Sequence, residues 1–347
     1  MRGILFTLFI SICLGCASGG SNKDSNQLSF DDVRAKLSAG KWKLARLVER
    51  GPFKFYLKKD LILNISPSQT IRFDYAAPIG NEPGPLAIIH HGNKYVKEAH
   101  ENQIRNLASW GIHAVAVQSK NQHNWIKNGY RLARFTKHIM DSPQILSSMV
   151  STSNIIVIGH SFGGSAATIA ASINPRIKGV ILLDPAVVSD QVLRHQKRVK
   201  SKTILLGADP KVFLSRKRET FFKNISELAV ELTIKGATHN DAQDPSITKV
   251  IWGNDPSTSE IQTRIFSTLI TAGTMFLSGD GNLETFAKMI SRMQKKKLIS
   301  KVKSRKDLVI SSSDSLEGYT SFIGYPDKKI SFSKSFGSKI MSSVTSE

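Results

Sequence analysis

The fold of this chain is decided by residues 154–171, which read NIIVIGHSFGGSAATIAA. The apolar run Ile155–Ile158 predicts a buried strand, and the Ala-rich segment after Gly164 predicts a helix. Ser161 lies between them in a Gly-x-Ser-x-Gly pattern, which predicts a tight turn from strand to helix with the serine at its apex. The helix N-terminus behind such a serine offers amide donors and positive potential to an oxyanion. Ser161 is therefore a candidate nucleophile.

Short apolar runs alternate with helical segments on both sides of this stretch. The predicted strands are Leu86–Ile89, Ile112–Val117, Ile155–Ile158, Val180–Leu183, Thr203–Leu206 and Leu228–Ile234. The predicted helices are Lys97–Trp110, Trp125–Met140, Phe162–Ile173, Arg216–Phe222 and a longer one from about Glu260 to Leu277. Apolar strands separated by helices are typical of an α/β fold with a mostly parallel central sheet covered on both faces. Upstream, residues 51–78 alternate with period two, which predicts two or three antiparallel strands.

Two segments resemble the α/β-hydrolase superfamily. Residues 86–93, LAIIHHGN, are similar to the strand and His-Gly segment that this superfamily places beside its serine turn. The GHSFGG of residues 159–164, followed by a strand that ends in Leu183-Asp184-Pro185, resembles the esterase branch with the platelet-activating-factor acetylhydrolases and chlorophyllases. The resemblance spans about residues 53–277, and it implies an α/β-hydrolase fold and a serine ester hydrolase.

The resemblance also implies which groups would activate Ser161. A serine hydroxyl needs an adjacent base, which a third group holds in one tautomer. The superfamily order is Ser, acid, His, and His239 follows the last predicted parallel strand, where the base is expected. Two strand-end carboxylates compete for the role of acid. Asp184 matches the esterase branch directly and is preferred, whereas Asp209 matches the commoner superfamily position with the Asp one residue early.

The resemblance further implies that the backbone amides of Phe162 and Asn93 bind the oxyanion. Lid domains in this fold are commonly inserted after the strand that ends at Asp184, but fewer than twenty residues separate Asp184 from the strand at Thr203. We therefore expect no large lid, and an open site suited to short-chain or surface-presented esters. Two alternatives stay open: a non-catalytic envelope lipoprotein that uses the fold for binding, and an acyltransferase.

The N-terminus is typical of a secretory signal peptide. A positive head is followed by the apolar run Ile4–Leu14 and then by Cys16, an ending that resembles a bacterial lipobox with Cys16 as the lipidated residue. We expect the protein in the cell envelope, lipid-anchored, or else periplasmic or extracellular. The predicted organisation is a lipoprotein-type signal peptide at 1–15, a flexible tether at 16–28, the α/β-hydrolase domain at 29–285 and a basic, Ser-rich C-terminal extension at 286–347.

The net charge of the chain indicates which kinds of partner it can contact. The chain has 48 Lys and Arg against 27 Asp and Glu, a formal net charge of +21, which favours contact with anionic material. No compact nucleic-acid motif accompanies the charge, so we expect no nucleic acid but an ester substrate, a membrane reached through the anchor, and anionic surfaces reached through basic segments such as 292–306. The two cysteines both lie within the first sixteen residues, which leaves no thiolate metal site, and we expect neither a metal nor a cofactor.

Overall fold

The computed structural model describes residues 35, 46–47, 49–80, 82–120, 124–252, 255–279 and 283–304. The predicted signal peptide, the tether, the lipidation site Cys16 and the part of the extension beyond residue 304 lie outside the described residues. Among the described helices, none combines the length and the apolar character that crossing a membrane would require.

The described residues form nine strands and eight α-helices in a mixed α/β order. The strands are β1 (Phe55–Ser66), β2 (Gln69–Pro78), β3 (Gly84–His90), β4 (His113–Gln118), β5 (Val150–His160), β6 (Gly179–Leu183), β7 (Lys202–Gly207), β8 (Leu228–Ile234) and β9 (Ile299–Ser304). The helices are α1 (Glu101–Ser109), α2 (Trp125–Asp141), α3 (Phe162–Ile173), α4 (Gln191–Gln196), α5 (Glu219–Asn224), α6 (Ile247–Trp252), α7 (Glu260–Ser278) and α8 (Leu283–Lys295). Short 3₁₀ turns occupy Lys97–His100, Pro143–Ile145 and Asn240–Ala242. Each core strand predicted from an apolar run overlaps one of the strands β3 to β8.

All nine strands belong to one sheet with the order β1-β2-β4-β3-β5-β6-β7-β8-β9. Strands β4, β3, β5, β6, β7 and β8 run parallel, and β1, β2 and β9 are antiparallel additions at the two edges. The predicted mostly parallel sheet is confirmed. Because the register pairs His160 with Leu183 and Leu183 with Leu206, the residues that follow β5, β6 and β7 emerge side by side at one edge.

Helices cover both faces of the sheet because successive strand residues point to opposite sides. In β3, Ala87 and Ile89 join one apolar core with residues of α1, α7 and α8, whereas Leu86 and Ile88 join a second core with residues of α2 and α3. The amphipathic helices close over both sets of side chains. This two-sided burial holds the carboxyl edge of the sheet rigid, and that edge carries the candidate site.

The space between β6 and β7 contains little added structure. Residues 185–201 are all described, and they include one six-residue helix, α4. No cap domain is inserted at this point of the chain, as the sequence predicts.

The ordered fold continues past residue 285, where composition placed the start of the extension. Helix α8 buries Met289, Ile290 and Met293 against the core, and β9 pairs antiparallel with β8. The predicted boundary at residue 285 lies within α8, and the sheet extends to residue 304. The basic residues of this segment obscured an apolar stripe with helical spacing, which packs against the core.

Candidate active site

Ser161 lies at the apex of a strained turn between β5 and α3. Its backbone has φ 55° and ψ −123°, a conformation that L-residues rarely adopt. The flanking glycines are required by contact: a Cβ on Gly159 would lie 2.2 Å from Gly163 O, and a Cβ on Gly163 would lie 2.3 Å from His90 O. The turn is held by Ser161 N–H, which donates to Leu183 O at 3.0 Å. The predicted strand, turn and helix are thus present.

The two predicted oxyanion donors lie on either side of this turn. Phe162 is the first residue of α3, where backbone N–H groups have no acceptor inside the helix. Asn93 follows Gly92, and a Cβ on Gly92 would lie only 2.7 Å from Ser161 Cβ, so the loop after β3 runs against the serine. The structure therefore brings both segments to Ser161.

His239 reaches the same edge from the loop after β8. Its Nδ1 lies 2.6 Å from Asp184 Oδ2, and its side chain is 14% exposed. The imidazole is packed between the rings of His160 and Phe213, with centroid distances of 4.5 and 4.6 Å. His160 Nε2 contacts His239 O at 3.1 Å, which ties the loop to the residue before Ser161. Both Ser161 and His239 are among the described residues, and no hydrogen bond joins Ser161 Oγ to His239 Nε2 in this structure; such bonds are often long before substrate binds.

Asp184 is fully buried behind His239 and directly follows β6. Besides His239, its Oδ2 accepts a hydrogen bond from Ser215 Oγ at 2.5 Å. Its Oδ1 accepts hydrogen bonds from Ala208 N at 3.0 Å and from Arg218 Nη1 at 2.5 Å. Burial opposes ionisation of this carboxyl, but His239, Arg218 and Ser215 together lower its pKa below the usual value. The side chain is therefore an ionised carboxylate with its hydrogen-bonding capacity filled.

Asp209, the alternative acid, faces other groups. Its Oδ2 accepts from Gly236 N at 2.9 Å, its Oδ1 accepts from Lys211 N at 3.1 Å, and its own N–H donates to Ala237 O at 2.9 Å. These bonds fasten the backbone of the loop that carries His239. The structure thus places Asp184 behind the imidazole and Asp209 beneath the loop.

Sequence reasoning missed three side chains of this site. Phe213, Ser215 and Arg218 all belong to the basic stretch after Asp209, in which residue type singles out none of them. Ser215 and Arg218 are nevertheless buried against Asp184. No periodicity marks them, because the segment 208–218 has no regular helix or strand.

Among the described residues, no group of three or more His, Cys, Asp or Glu side chains is arranged to hold a metal ion.

Comparison with known proteins places this site in a family context. Residues 85–254, just under half of the chain, match the family model described as Platelet-activating factor acetylhydrolase, isoform II. The matched segment begins within β3, extends past α6 and includes Ser161, Asp184 and His239. No curated protein matches the chain. The chain has the α/β-hydrolase fold, and over the matched residues it is similar to the platelet-activating factor acetylhydrolases, which supports a serine ester hydrolase.

Proposed function

We propose that this protein hydrolyses carboxylic esters through an acyl-enzyme on Ser161, with His239 as general base and Asp184 as the group that orients it. The observation that carries the proposal is the 2.6 Å contact between His239 Nδ1 and a buried, ionised Asp184, beside a serine held at φ 55°. When Nδ1–H donates to Asp184, the neutral imidazole carries no proton on Nε2, which can then accept one. That tautomer is the one a base for Ser161 needs.

The reaction has two steps. Ser161 Oγ attacks the ester carbonyl while its proton passes to His239 Nε2, and the amides of Phe162 and Asn93 stabilise the oxyanion. The carbon–oxygen bond to the alcohol breaks, and the alcohol leaves with the proton from His239. Water then attacks the acyl-enzyme by the same route in reverse, giving the carboxylic acid and free Ser161. The buried Asp184 stabilises the imidazolium that forms in each step.

The absence of an inserted cap after Asp184, among residues 185–201, supports short-chain or surface-presented esters as substrates. Next to His239 the chain exposes three consecutive apolar side chains, Val212, Phe213 and Leu214, which are 52%, 42% and 61% exposed. Exposed basic residues flank them at Lys211 and Arg216. An apolar patch with a basic rim fits a surface that presents esters among anionic groups.

Labelling with a fluorophosphonate probe tests the nucleophile. The full chain in detergent should react, and Ser161→Ala should abolish the label. Ser172→Ala is the matched control, because Ser172 Oγ also lies 2.7 Å from a histidine, His195 Nδ1, but on an ordinary helix without an acid behind the imidazole. Persistent labelling of Ser161→Ala, or no labelling of the wild type, would contradict the proposal. A binding protein without turnover would give the second result.

A panel of p-nitrophenyl esters tests the substrate class. Acetyl and butyryl esters should turn over faster than the palmitoyl ester, because without a cap inserted among residues 185–201 we expect no long acyl tunnel. Equal or faster hydrolysis of the palmitoyl ester would overturn this expectation. Adding a competing alcohol separates hydrolysis from acyl transfer, since an acyltransferase would form the exchanged ester in place of the free acid.

We further propose that Cys16 is lipidated and that the anchor holds the enzyme in the cell envelope, where the basic rim faces an anionic membrane. The net charge of +21 and the lipobox-like end of the apolar run support this location. Metabolic labelling with a palmitate analogue should mark the wild type and not Cys16→Ser. Equal labelling of the two chains would exclude Cys16 as the attachment site.

A further inference from the structure

A buried arginine contacts Asp184 on the side opposite to His239. Arg218 is 4% exposed, and its Nη1 donates to Asp184 Oδ1 at 2.5 Å and to Ala208 O at 2.8 Å. Its Nε lies 3.9 Å from Glu231 Oε1 on β8, and Glu231 Oε2 in turn pairs with Lys303 Nζ on β9 at 2.7 Å. A line of alternating charges therefore runs from His239 through Asp184 and Arg218 to the edge of the sheet.

The backbone is shaped to admit this guanidinium. At the end of β7, a Cβ on Gly207 would lie 2.7 Å from Arg218 Nη1 and 2.8 Å from Arg218 Cζ. Only a glycine lets the planar group lie flat against the strand at this point. The Arg218–Asp184 ion pair therefore differs from the exposed pairs on the surface. It is almost completely buried, Arg218 donates two hydrogen bonds, and Gly207 leaves space for the guanidinium.

We propose that Arg218 is a positioning residue of the reaction, which fixes the carboxylate of Asp184 toward His239 and keeps the enzyme active at lower pH than an isolated Asp–His pair would. This inference rests on the proposed function of Ser161, His239 and Asp184. Arg218 Nη1 donates both to Asp184 Oδ1 and to Ala208 O, so the planar guanidinium ties the carboxylate to the backbone just after β7. With Oδ1 held by Arg218 and Ala208 N, Oδ2 is the oxygen left to face the imidazole.

The charge of Arg218 acts on the same pair. A buried carboxylate without a partner would take up a proton, and it would then no longer orient the base. Arg218 is one of the groups that lower the pKa of Asp184, so removing it should move the loss of activity on the acid side to higher pH.

The groups around the Asp184–His239 pair define what else could contribute to this titration. Asp184 faces His239, Arg218 and Ser215, and His239 faces His160, Tyr95 and Phe213 in addition. Burial and the neighbouring His239 hold the pKa of His160 well below its ordinary value, and burial raises that of Tyr95 to about 12, so both stay neutral on the acid side of the profile. Arg218 is thus the permanent cation in contact with the carboxylate.

The test is the pH dependence of kcat/KM for p-nitrophenyl acetate in the full chain. Arg218→Met should lower kcat/KM at pH 8 by about 10²-fold through misplacement of the carboxylate, and should move the acid limb up by about one pH unit. Arg218→Lys restores the charge without the planar guanidinium, so its acid limb should return toward the wild-type position while kcat/KM recovers only in part. The control is Arg176→Met, which removes an arginine from an exposed pair with Asp141 in the loop before β6 and should change neither quantity.

A folded Arg218→Met chain, verified by near-ultraviolet circular dichroism, with wild-type rate and acid limb would overturn the role of Arg218. If this variant does not fold, Arg218→Lys decides the question, since full wild-type kcat/KM in that chain would exclude positioning by the guanidinium. The fluorophosphonate label keeps the two hypotheses apart. An unreactive wild-type Ser161 contradicts the proposed function, whereas a reactive wild type with unchanged Arg218 variants contradicts only the inference about Arg218.

Discussion

Asparagine substitutions at the two strand-end carboxylates, Asp184 and Asp209, should differ far more in the activity they remove than in the stability they remove. In Asp184→Asn, one side of the new amide must face the donors Arg218 and Ala208 N, and the other must face His239. The oxygen is better placed toward the two donors, so the amide NH₂ turns to His239 Nδ1. That arrangement favours the wrong imidazole tautomer, with the proton on Nε2, and should lower kcat by about 10⁴-fold.

The same change also leaves the guanidinium of Arg218 without its carboxylate. Breaking a buried ion pair costs about 3 kcal/mol or more, which in a fold of this size lowers Tm by about 10 °C. In Asp209→Asn, by contrast, either Gly236 N or Lys211 N loses its acceptor, at a cost of about 1–3 kcal/mol. The loop that carries His239 should loosen, but the imidazole keeps Asp184, and kcat/KM should fall no more than about tenfold, or about 1.4 kcal/mol.

The assay is kcat/KM for p-nitrophenyl acetate at 15 °C and pH 8, expressed per folded molecule after circular dichroism has given the folded fraction. Thermal unfolding of the same samples supplies the change in Tm. If Asp209→Asn lost as much activity as Asp184→Asn while both remained folded, the assignment of the two carboxylates would be wrong.

Two further predictions concern the fold around the site. Burial lowers the pKa of His113 to about 4, below its unfolded value of about 6.5. Between these two pH values the unfolded chain binds more protons than the folded chain. The free energy of unfolding should therefore fall as the pH drops from about 6.5 to about 4. His113→Gln keeps an acceptor for Tyr75 Oη and should reduce that slope by up to one proton in urea unfolding; an unchanged slope would contradict this reading. Gly163→Ala should destabilise the fold severely, because its Cβ would meet His90 O at 2.3 Å, whereas Gly80→Ala, with no atom within 4 Å, should leave Tm nearly unchanged. Equal Tm values for the two glycine variants would refute the close-contact argument.

Much of the site could be predicted because its parts follow apolar strands. The run Ile155–Ile158 predicts β5, and the glycines around Ser161 predict a turn that only small residues can form. The sequence places Asp184, Asp209 and His239 after strands as well, and parallel strands bring such residues to one edge. The strand pattern therefore identifies which residues can meet.

The choice between Asp184 and Asp209 could not be made from this pattern. Both follow a buried strand and precede a proline. The two differ in which way the backbone turns after the strand: Asp184 has φ 36°, and its carboxylate points back under the imidazole, whereas Asp209 turns toward Gly236. Such a difference of local backbone geometry depends on tertiary contacts, and residue type does not report it.

The buried position of Arg218 could not be predicted from the sequence for a related reason. In the stretch 211–218 the three apolar residues are exposed, and Ser215 and Arg218 are buried, which inverts the expectation from hydropathy. The inversion is possible because Asp184 supplies the charge that a buried arginine requires and Gly207 supplies the room. A single sequence shows neither, since both partners lie on other strands.

The two carboxylates at neighbouring strand ends both help to position His239. Asp209 fixes the backbone of the loop after β8, and Asp184 fixes the side chain that this loop presents. Neither would suffice alone, because an imidazole acts as a base for Ser161 only when both its position and its tautomer are set. Arg218 supports Asp184 in the same way, because it contacts the carboxylate of Asp184 as that carboxylate contacts His239. Asp184 and Arg218 are both buried, so the accuracy needed at Ser161 and His239 derives from the rigid interior of the sheet.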